Sequence, residues 1–412
     1  MTHKPMAQMI SGSSHTTRGK RFMIIAGEPS GDALAAELVR ALRDESGDQS
    51  LEFFGAGGAR MVEAGVDVAL DMTAHSVIGL VEALKGYWKF RGILNQLVRL
   101  AFQRRPDVIV CIDFSGFNRR FAHQIREDLK TFSDLAEDWT PKIVQYVSPQ
   151  VWASRPGRAK SMARDYDLLL SIFPFEKKWY ADRVPEMRVE FVGHPIVDRH
   201  ANAQRETRNA ESETPLVLLL PGSRPGELRR HLPVLAPAAQ LVSAQRAVRL
   251  RMVLPDAGLL ALAREIAGDH LRNVDLRVGG LQESLAEATV ALASTGTVTM
   301  ECAWFGVPTV AFYKTSWSTY QIGKRIVQVK YLAMPNILAD EPLFPELIQN
   351  DATPQRIATE ALGLLTDKAR RHQIQSKLAQ IVKSLGSPGA AQRAAQHVLS
   401  LLNWKTSHES GN

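Results

Sequence analysis

Residues 108–118, VIVCIDFSGFN, run five apolar side chains straight into a carboxylate, Asp113, and then a Ser-Gly break. An acid at the carboxyl end of a buried strand is half desolvated. That raises its pKa and suits it to work as a general base. The same acid can instead cap the helix that follows. The segment alone leaves both readings open.

Two later segments carry the features of an anion site. In LLLPGSRPGE (218–227), Gly222 and Ser223 offer backbone N–H groups, and the forked cation of Arg224 follows at once. Loop amides, a hydroxyl and a guanidinium suit a phosphate, although a plain strand-to-helix turn has the same outline. In LASTGTVTMECAWFGVPTV (292–310), Thr295, Gly296 and Thr297 close an apolar run and open a helical pattern. Small residues at a helix start favour negative charge. Glu301 lies one turn further on and can reach the same cleft, where a carboxylate accepts bonds from a sugar diol.

Other chemistries lack their signatures. AGEPSGD (26–32) and GAGGAR (55–60) both fail the G-x-G-x-x-G pattern, so a dinucleotide cofactor is not expected. The eleven histidines form no H-E-x-x-H, and Asp165-Tyr166-Asp167 precedes an apolar run instead of following one. No metal and no cofactor are expected.

The elements that must hold these residues alternate between strand-like and helix-like. RFMIIAG, LEFFGAGG, DVIVCID, KIVQYVS, LLLSIF and VEFVG are separated by amphipathic stretches, which predicts a parallel sheet covered on both faces. The alternation stops at a polar stretch near residues 198–214 and restarts with LVLLLPGS, VRLRMVLP, VDLRVGG, VALAST and PTVAFY. The expected fold is therefore α/β, with two Rossmann-like domains facing across a cleft. The expected boundaries are a disordered extension over 1–20, a first domain over 21–197, a linker over 198–214, a second domain over 215–385 and a terminal helix over 386–404. Ligands of open α/β sheets bind beyond the carboxyl ends of strands, where Asp113, Gly222 and Thr295 all fall.

A chain of 412 residues has room for two to three domains. Its longest apolar runs are far too short to span a bilayer, and its N-terminal stretch lacks a signal-peptide core. The two cysteines, Cys111 and Cys302, sit among apolar residues, which suits buried thiols in a reducing compartment. A net charge of +7 favours anionic partners. Residues 77–105 mix Val77, Ile78, Leu80, Val81, Leu84 and Trp88 with Lys85, Lys89, Arg91, Arg99, Arg104 and Arg105. That mixture suits a helix lying on an anionic membrane, and it also suits a core helix with solvated charges.

Nine segments in order resemble the lipid-A-disaccharide synthase family: AGEPSGD, SVIGLVEAL, PDVIVCIDFSGFN, YVSPQVWASR, FPFEKKWY, FVGHPIVD, LLPGSR, STGTVTMECAWFGVPTV and YLAMPNILA. The resemblance covers roughly residues 22–400. It implies a GT-B fold and an inverting, metal-independent glycosyl transfer. UDP-2,3-diacylglucosamine would donate to 2,3-diacylglucosamine 1-phosphate, giving a β-1,6-linked disaccharide 1-phosphate and UDP. The place would be the cytoplasmic face of a Gram-negative inner membrane, on an anionic surface.

By the same resemblance Asp113 is the base for the acceptor hydroxyl. Gly222, Ser223, Arg224, Thr295, Gly296, Thr297, Glu301 and Asn336 fall on the UDP-sugar side, and Glu28, Ser30, Gly31, Asp32 and Asn118 on the acceptor side. The tail helix would cross back to the first domain or swap between the protomers of a homodimer. Gly116 and Ser154 depart from the family pattern, which commonly has an acid and a Trp there, and 131–139 reads as an insertion. The rival readings are another UDP-N-acetylglucosamine enzyme of the same fold, such as a 2-epimerase or cell-wall transferase, and a silent basic membrane-adhesion protein. The dispersed cations lack an aromatic cluster for nucleic acid, so no nucleic-acid partner is expected.

Overall fold

The computed structural model of the chain describes residues 19–47, 50–72, 83–132, 139–201 and 214–402. The front half runs β1 (Lys20–Ala26), α1 (Pro29–Ser46), β2 (Leu51–Gly57), α2 (Ala59–Glu63), β3 (Asp67–Asp71), α3 (Ala83–Arg104), β4 (Val108–Ile112), α4 (Ser115–Thr131), β5 (Lys142–Tyr146), α5 (Val151–Ser154), α6 (Ala159–Asp165), β6 (Leu168–Ser171), α7 (Pro174–Ala181), β7 (Val189–Phe191) and α8 (Pro195–Arg199). The rear half runs β8 (Leu216–Leu220), α9 (Pro225–Gln245), β9 (Arg249–Leu254), α10 (Ala257–Ala267), β10 (Val274–Val278), α11 (Leu281–Glu287), β11 (Val290–Ser294), α12 (Thr297–Trp304), β12 (Thr309–Tyr313), α13 (Trp317–Ile326), α14 (Met334–Ala339), β13 (Glu346–Ile348), α15 (Pro354–Thr366), α16 (Lys368–Ser384) and α17 (Ala390–Ser400).

These strands form two parallel sheets, ordered β3-β2-β1-β4-β5-β6-β7 and β10-β9-β8-β11-β12-β13. Each order reverses once, between β1 and β4 in front and between β8 and β11 behind. Those reversals open the crevices where doubly wound sheets take ligands. Every residue of β4 and β8 is buried, as continuous apolar runs require in a sheet covered on both faces. The edge strands β3 and β13 were not expected. β3 alternates exposed and half-buried residues, and β13 has three, so neither writes a strong apolar signal.

Of the 77–105 stretch, Val77, Ile78, Leu80 and Val81 lie outside the described residues, as do the side chains of Leu84 and Trp88. The later part of α3 is a core helix: Leu97, Val98 and Ala101 are buried against β1 and β4 residues such as Met23, Ile25, Ile109 and Cys111. Most of the expected insertion, 133–138, also lies outside the described residues.

The chain's terminal helix returns to the front half. Val398 and Leu399 of α17 pack with Leu34, Leu38 and Leu42 of α1 in one buried cluster. Asp198, just past the front sheet, accepts a bond from the Ala390 amide at 2.9 Å and so satisfies the start of α17. Arg393 Nε donates to the Val192 carbonyl at 2.8 Å. Met300 and Trp304 of α12 join the same cluster, so the two halves share apolar contact. Leu399→Ala is expected to cost about 2–5 kcal/mol in chemical denaturation, because Leu399 is fully buried. A change below about 0.5 kcal/mol, the size of an ordinary surface substitution, would remove α17 from the front core.

Candidate active site

Asp113 stands at the carboxyl end of β4, on the front reversal point, and its backbone is unusual. Asp113 and Phe114 adopt successive left-handed conformations, φ 47° and φ 39°. For a bulky residue such as Phe114 that is strained. The surroundings hold the strain in place. Asn118 Nδ2 donates to the Ile112 and Asp113 carbonyls at 3.2 and 2.9 Å. Gln145 Nε2 donates to the Asp113 carbonyl at 3.0 Å. The Asp113 amide donates to the Tyr146 carbonyl at 2.9 Å. Phe114 stacks on Phe117 with centroids 5.7 Å apart and meets Phe90 of α3 at 6.2 Å. Its ring fills the space over Gly27, where a Cβ would sit 2.3 Å from a ring carbon.

The N-cap of α4 is Phe114, with no side-chain capping bond, so Asp113 is not the helix cap that its sequence also allowed. Burial raises the Asp113 pKa, the nearby Glu28 charge raises it further, and a bond from the Phe114 backbone offsets part of this. A raised pKa at a strand end fits a group that takes up a proton.

The other acceptor-side residues divide. Glu28, half-buried, and Gly31 line the same point; a Cβ on Gly31 would lie 3.9 Å from that of Asp113. Ser30 is exposed on the first turn of α1. Asp32 does a different job from the one expected. Its two carboxylate oxygens accept the Gly58, Arg60 and Met61 amides at 2.7, 2.9 and 3.2 Å, which holds the start of α2. Asn118 likewise spends its amide donor on the turn and acts by positioning Asp113. Gly116 is exposed, with open space where a side chain would project.

On the rear reversal point, Gly222 has φ +120° and a Cβ there would fall 2.4 Å from a Glu227 oxygen. Glu227 accepts the Ser223 amide at 2.9 Å. One of the amides expected to be open is thus held by an internal carboxylate. Arg224 reaches across the cleft and pairs with Glu28 at 3.6 Å. Both side chains are solvent-accessible, so the pair adds little stability, but it brings the two reversal points face to face. Thr295 donates its amide to the Phe312 carbonyl at 3.0 Å, whereas Gly296 and Thr297 are exposed at the start of α12.

Glu301, half-buried on α12, is engaged. Its carboxylate lies 2.6 Å from Nε2 of His200, which is buried beside Trp304 and Phe305. Asn336 is fully buried and fully bonded. It donates to the Phe344 carbonyl and to Glu346 at 2.8 Å each, and accepts the Phe344 amide at 2.8 Å. It therefore locks the α14–β13 loop and offers no free polar atom to a nucleotide.

Two histidines escaped the reading of the sequence. His200 meets Glu301 from 101 residues away, which no local pattern signals. His231 of α9 contacts the Pro221 carbonyl through Nδ1 at 2.6 Å and accepts the Lys314 amide at Nε2. It ties the glycine turn to the segment after β12. Burial lowers its pKa, consistent with the neutral ring these partners need. Among the described residues, no group of three or more His, Cys, Asp or Glu could hold a metal ion. Asp167 accepts the Ile143 amide at 2.8 Å and pairs with Arg126, a structural role.

Two doubly wound sheets, each presenting its reversal point to the other, define the class with two facing Rossmann-like domains, a fold seen in glycosyltransferases and in UDP-N-acetylglucosamine 2-epimerases alike. The fold resembles S. aureus MnaA solved with UDP, with a TM-score of 0.60 at 13% identity over 94% of this chain and 98% of that one. It also resembles the calicheamicin glycosyltransferase CalG4, with a TM-score of 0.57 at 15% identity over 94% and 99% of the two chains. At such identities the likeness is one of fold. The family is set by sequence: the pattern of the lipid-A-disaccharide synthetases matches residues 22–401. The lipid-A-disaccharide synthase of Geobacter metallireducens is 37% identical over 403 residues, 95% of this chain and 99% of the relative. The chain belongs to the lipid-A-disaccharide synthetase family.

The folded chain holds the Asp113 proton more tightly than the unfolded chain does. The group therefore favours folding below the ordinary aspartate range, and that contribution is lost as pH rises through the raised pKa. Asp113→Asn removes the buried charge and keeps a side chain that tolerates the left-handed turn. Its melting temperature is expected to exceed that of the wild type at pH 8 by more than at pH 4. An equal difference at both values would show that the carboxylate is not penalised by its site.

Proposed function

We propose that Asp113 is the base of an inverting transfer of 2,3-diacylglucosamine from UDP to the 6-hydroxyl of 2,3-diacylglucosamine 1-phosphate. The products are the β-1,6-linked disaccharide 1-phosphate and UDP. The observation that carries this reading is the half-desolvated Asp113 carboxyl on a braced turn at the front reversal point, with Arg224 reaching that point from the rear one.

Asp113 takes the hydroxyl proton as the oxygen attacks the anomeric carbon. The bond to the UDP oxygen breaks on the opposite face, and its electron pair goes to the β-phosphate. A single carboxylate suffices, because inversion needs no covalent intermediate. Arg224, the Gly222–Ser223 turn and the Gly296–Thr297 helix start face the developing charge. Glu301 serves the ribose once it parts from His200.

Arg119, Arg120 and Arg155 lie close enough to Arg158 to lower its pKa, behind burial as the larger cause. This positive cluster, beside the start of α4, suits the acceptor's phosphate. Phe90 of α3 touches the turn that carries Asp113, so lipid contact along the 77–105 stretch would bring an acylated acceptor toward Asp113. No helix among the described residues is long and apolar enough to cross a membrane. Peripheral attachment to an anionic inner-membrane surface, on its cytoplasmic face, accounts for how the enzyme meets lipid substrates.

Turnover by Asp113→Asn, assayed with both acylated sugars, is expected to fall by about 10²–10⁴-fold, with binding of both substrates kept. Equal rates would remove Asp113 from the mechanism. Glu28→Gln takes away the charge that, after burial, raises the Asp113 pKa, so the acidic limb of the kcat/KM profile is expected to move to lower pH. An unmoved limb would assign that limb to another group. Arg224→Ala is expected to weaken UDP binding in calorimetry by roughly tenfold or more, as loss of a charge-assisted hydrogen bond implies. Unchanged affinity would exclude its phosphate role. Turnover is expected to persist in the presence of a chelator.

A further inference from the structure

From Tyr313 to Leu332 no described residue is buried. Such a stretch is unusual in a chain whose other helices press one face into a core. Trp317, at the start of α13, is 73% exposed, more than any other large apolar side chain among the described residues. Trp317, Tyr320, Gln321 and Lys324 follow the spacing that puts side chains on one helix face, with Arg325 beside them. Beyond the helix, Val327 and Leu332 are 39% and 37% exposed. The Lys330 ammonium lies 4.9 Å from the centroid of the Tyr331 ring.

The charge on this face has one sign. No acid occurs between Lys314 and Ala339. Lys314 turns inward to the Gln349 carbonyl at 2.9 Å, but Lys324 and Arg325 are exposed and make no ion pair among the described residues. The face also sits on the rim of the cleft. α13 follows β12, the neighbour of β11, whose end carries Thr295. Gln328 donates its amide to the Ala153 carbonyl of α5, in the front lobe, at 2.8 Å.

We propose that α13 and the segment through Leu332 form a membrane-contact surface on the rear lobe, one that takes an anionic phospholipid bilayer. Indole and phenol rings settle at headgroup depth, short aliphatic side chains enter the acyl boundary, and Lys324, Arg325 and Lys330 meet lipid phosphates. A second copy of the chain suits the face poorly, because a two-fold axis through it would set Lys324 and Arg325 against their own counterparts. Single-stranded nucleic acid would use the rings and cations but leave Val327, Val329 and Leu332 without a role. This surface is distinct from the 77–105 stretch and does not depend on the role of Asp113. With both lobes on the bilayer, the cleft mouth would open toward lipid.

The test is co-sedimentation of the full chain with phosphatidylcholine–phosphatidylglycerol vesicles, against phosphatidylcholine alone. The triple variant Trp317→Ser, Lys324→Glu, Arg325→Glu is expected to lose roughly tenfold or more in partitioning to the anionic vesicles. Its melting temperature and its turnover on detergent-dispersed substrates should be unchanged. Val278→Ser, at a site 51% exposed elsewhere on the rear lobe, is expected to bind as the wild type does. If the triple variant folds poorly, Lys324→Gln with Arg325→Gln should still lower partitioning and flatten its salt dependence.

Unchanged partitioning by either variant would overturn the proposal, while the reaction read from Asp113 would stand. Unchanged partitioning with a dimer shifted to monomer in light scattering would assign the face to a second copy. Unchanged partitioning with loss of single-stranded RNA binding would assign it to nucleic acid.

Discussion

Two consecutive side-chain-bearing residues in left-handed conformation, at the end of β4, are the constraint on which the rest of the site depends. A turn of that shape is costly, and the chain keeps it by surrounding it. Asn118 and Gln145 bond its carbonyls, β5 receives its amide, and Gly27 yields the space that the Phe114 ring occupies. The result is a half-buried carboxyl held at the end of β4, on the front reversal point. The braces come from α4, from β5 and from the residue after β1, so the position of one oxygen pair is written into three parts of the fold together. Asn118 and Gly27 set this geometry through the bonds and the space they give the turn.

The cleft is held by groups that stand in for one another. Arg224 leans on Glu28, Glu227 holds the Ser223 amide, and His200 holds Glu301. Under the proposed roles, each pair spends a donor or an acceptor that the sugar nucleotide would otherwise engage. An anion entering the rear turn would compete with Glu227 for the same amide, and a ribose would compete with His200 for Glu301. The paired groups limit the cost of polar atoms in a half-closed cleft. His231 adds rigidity on the far side by bonding the glycine turn and the segment after β12 at once.

Much of the fold was legible, because both sheets are built from continuous apolar runs ended by Gly, Pro or an acid. Strand alternation predicts the parallel sheets and puts Asp113, Gly222 and Thr295 at strand carboxyl ends, while the sheet order that sets those ends at the reversal points comes from the structure. β3 and β13 were not legible, since short half-exposed edge strands bury too little to leave a pattern. Individual side-chain roles were harder. Asp32 and Asn336 sit in segments that carry the family resemblance, yet their polar atoms are consumed outside those motifs, by the amides at the start of α2 for Asp32 and by Phe344 and Glu346 for Asn336. A motif gives the residue and its neighbourhood, but not the partner. His200 shows the converse: it lies in an unremarkable segment and gains its role from a helix in the other half of the chain.

The return of α17 to α1 also dictates an order of events at the ribosome. β1 through β7 emerge early, but Leu34, Leu38 and Leu42 lack the cover of Val398 and Leu399 until some 350 residues later. Meanwhile the rear sheet and its helices have emerged as a nearly complete set with a core of their own. The front half's other buried cluster, drawn from Met23 to Val189, is complete long before this, so it is the α1 face of that half that waits as a sticky flank. A nascent chain of this kind is a natural client for a holding chaperone, and one whose α17 could dock on the wrong molecule in a crowded polysome.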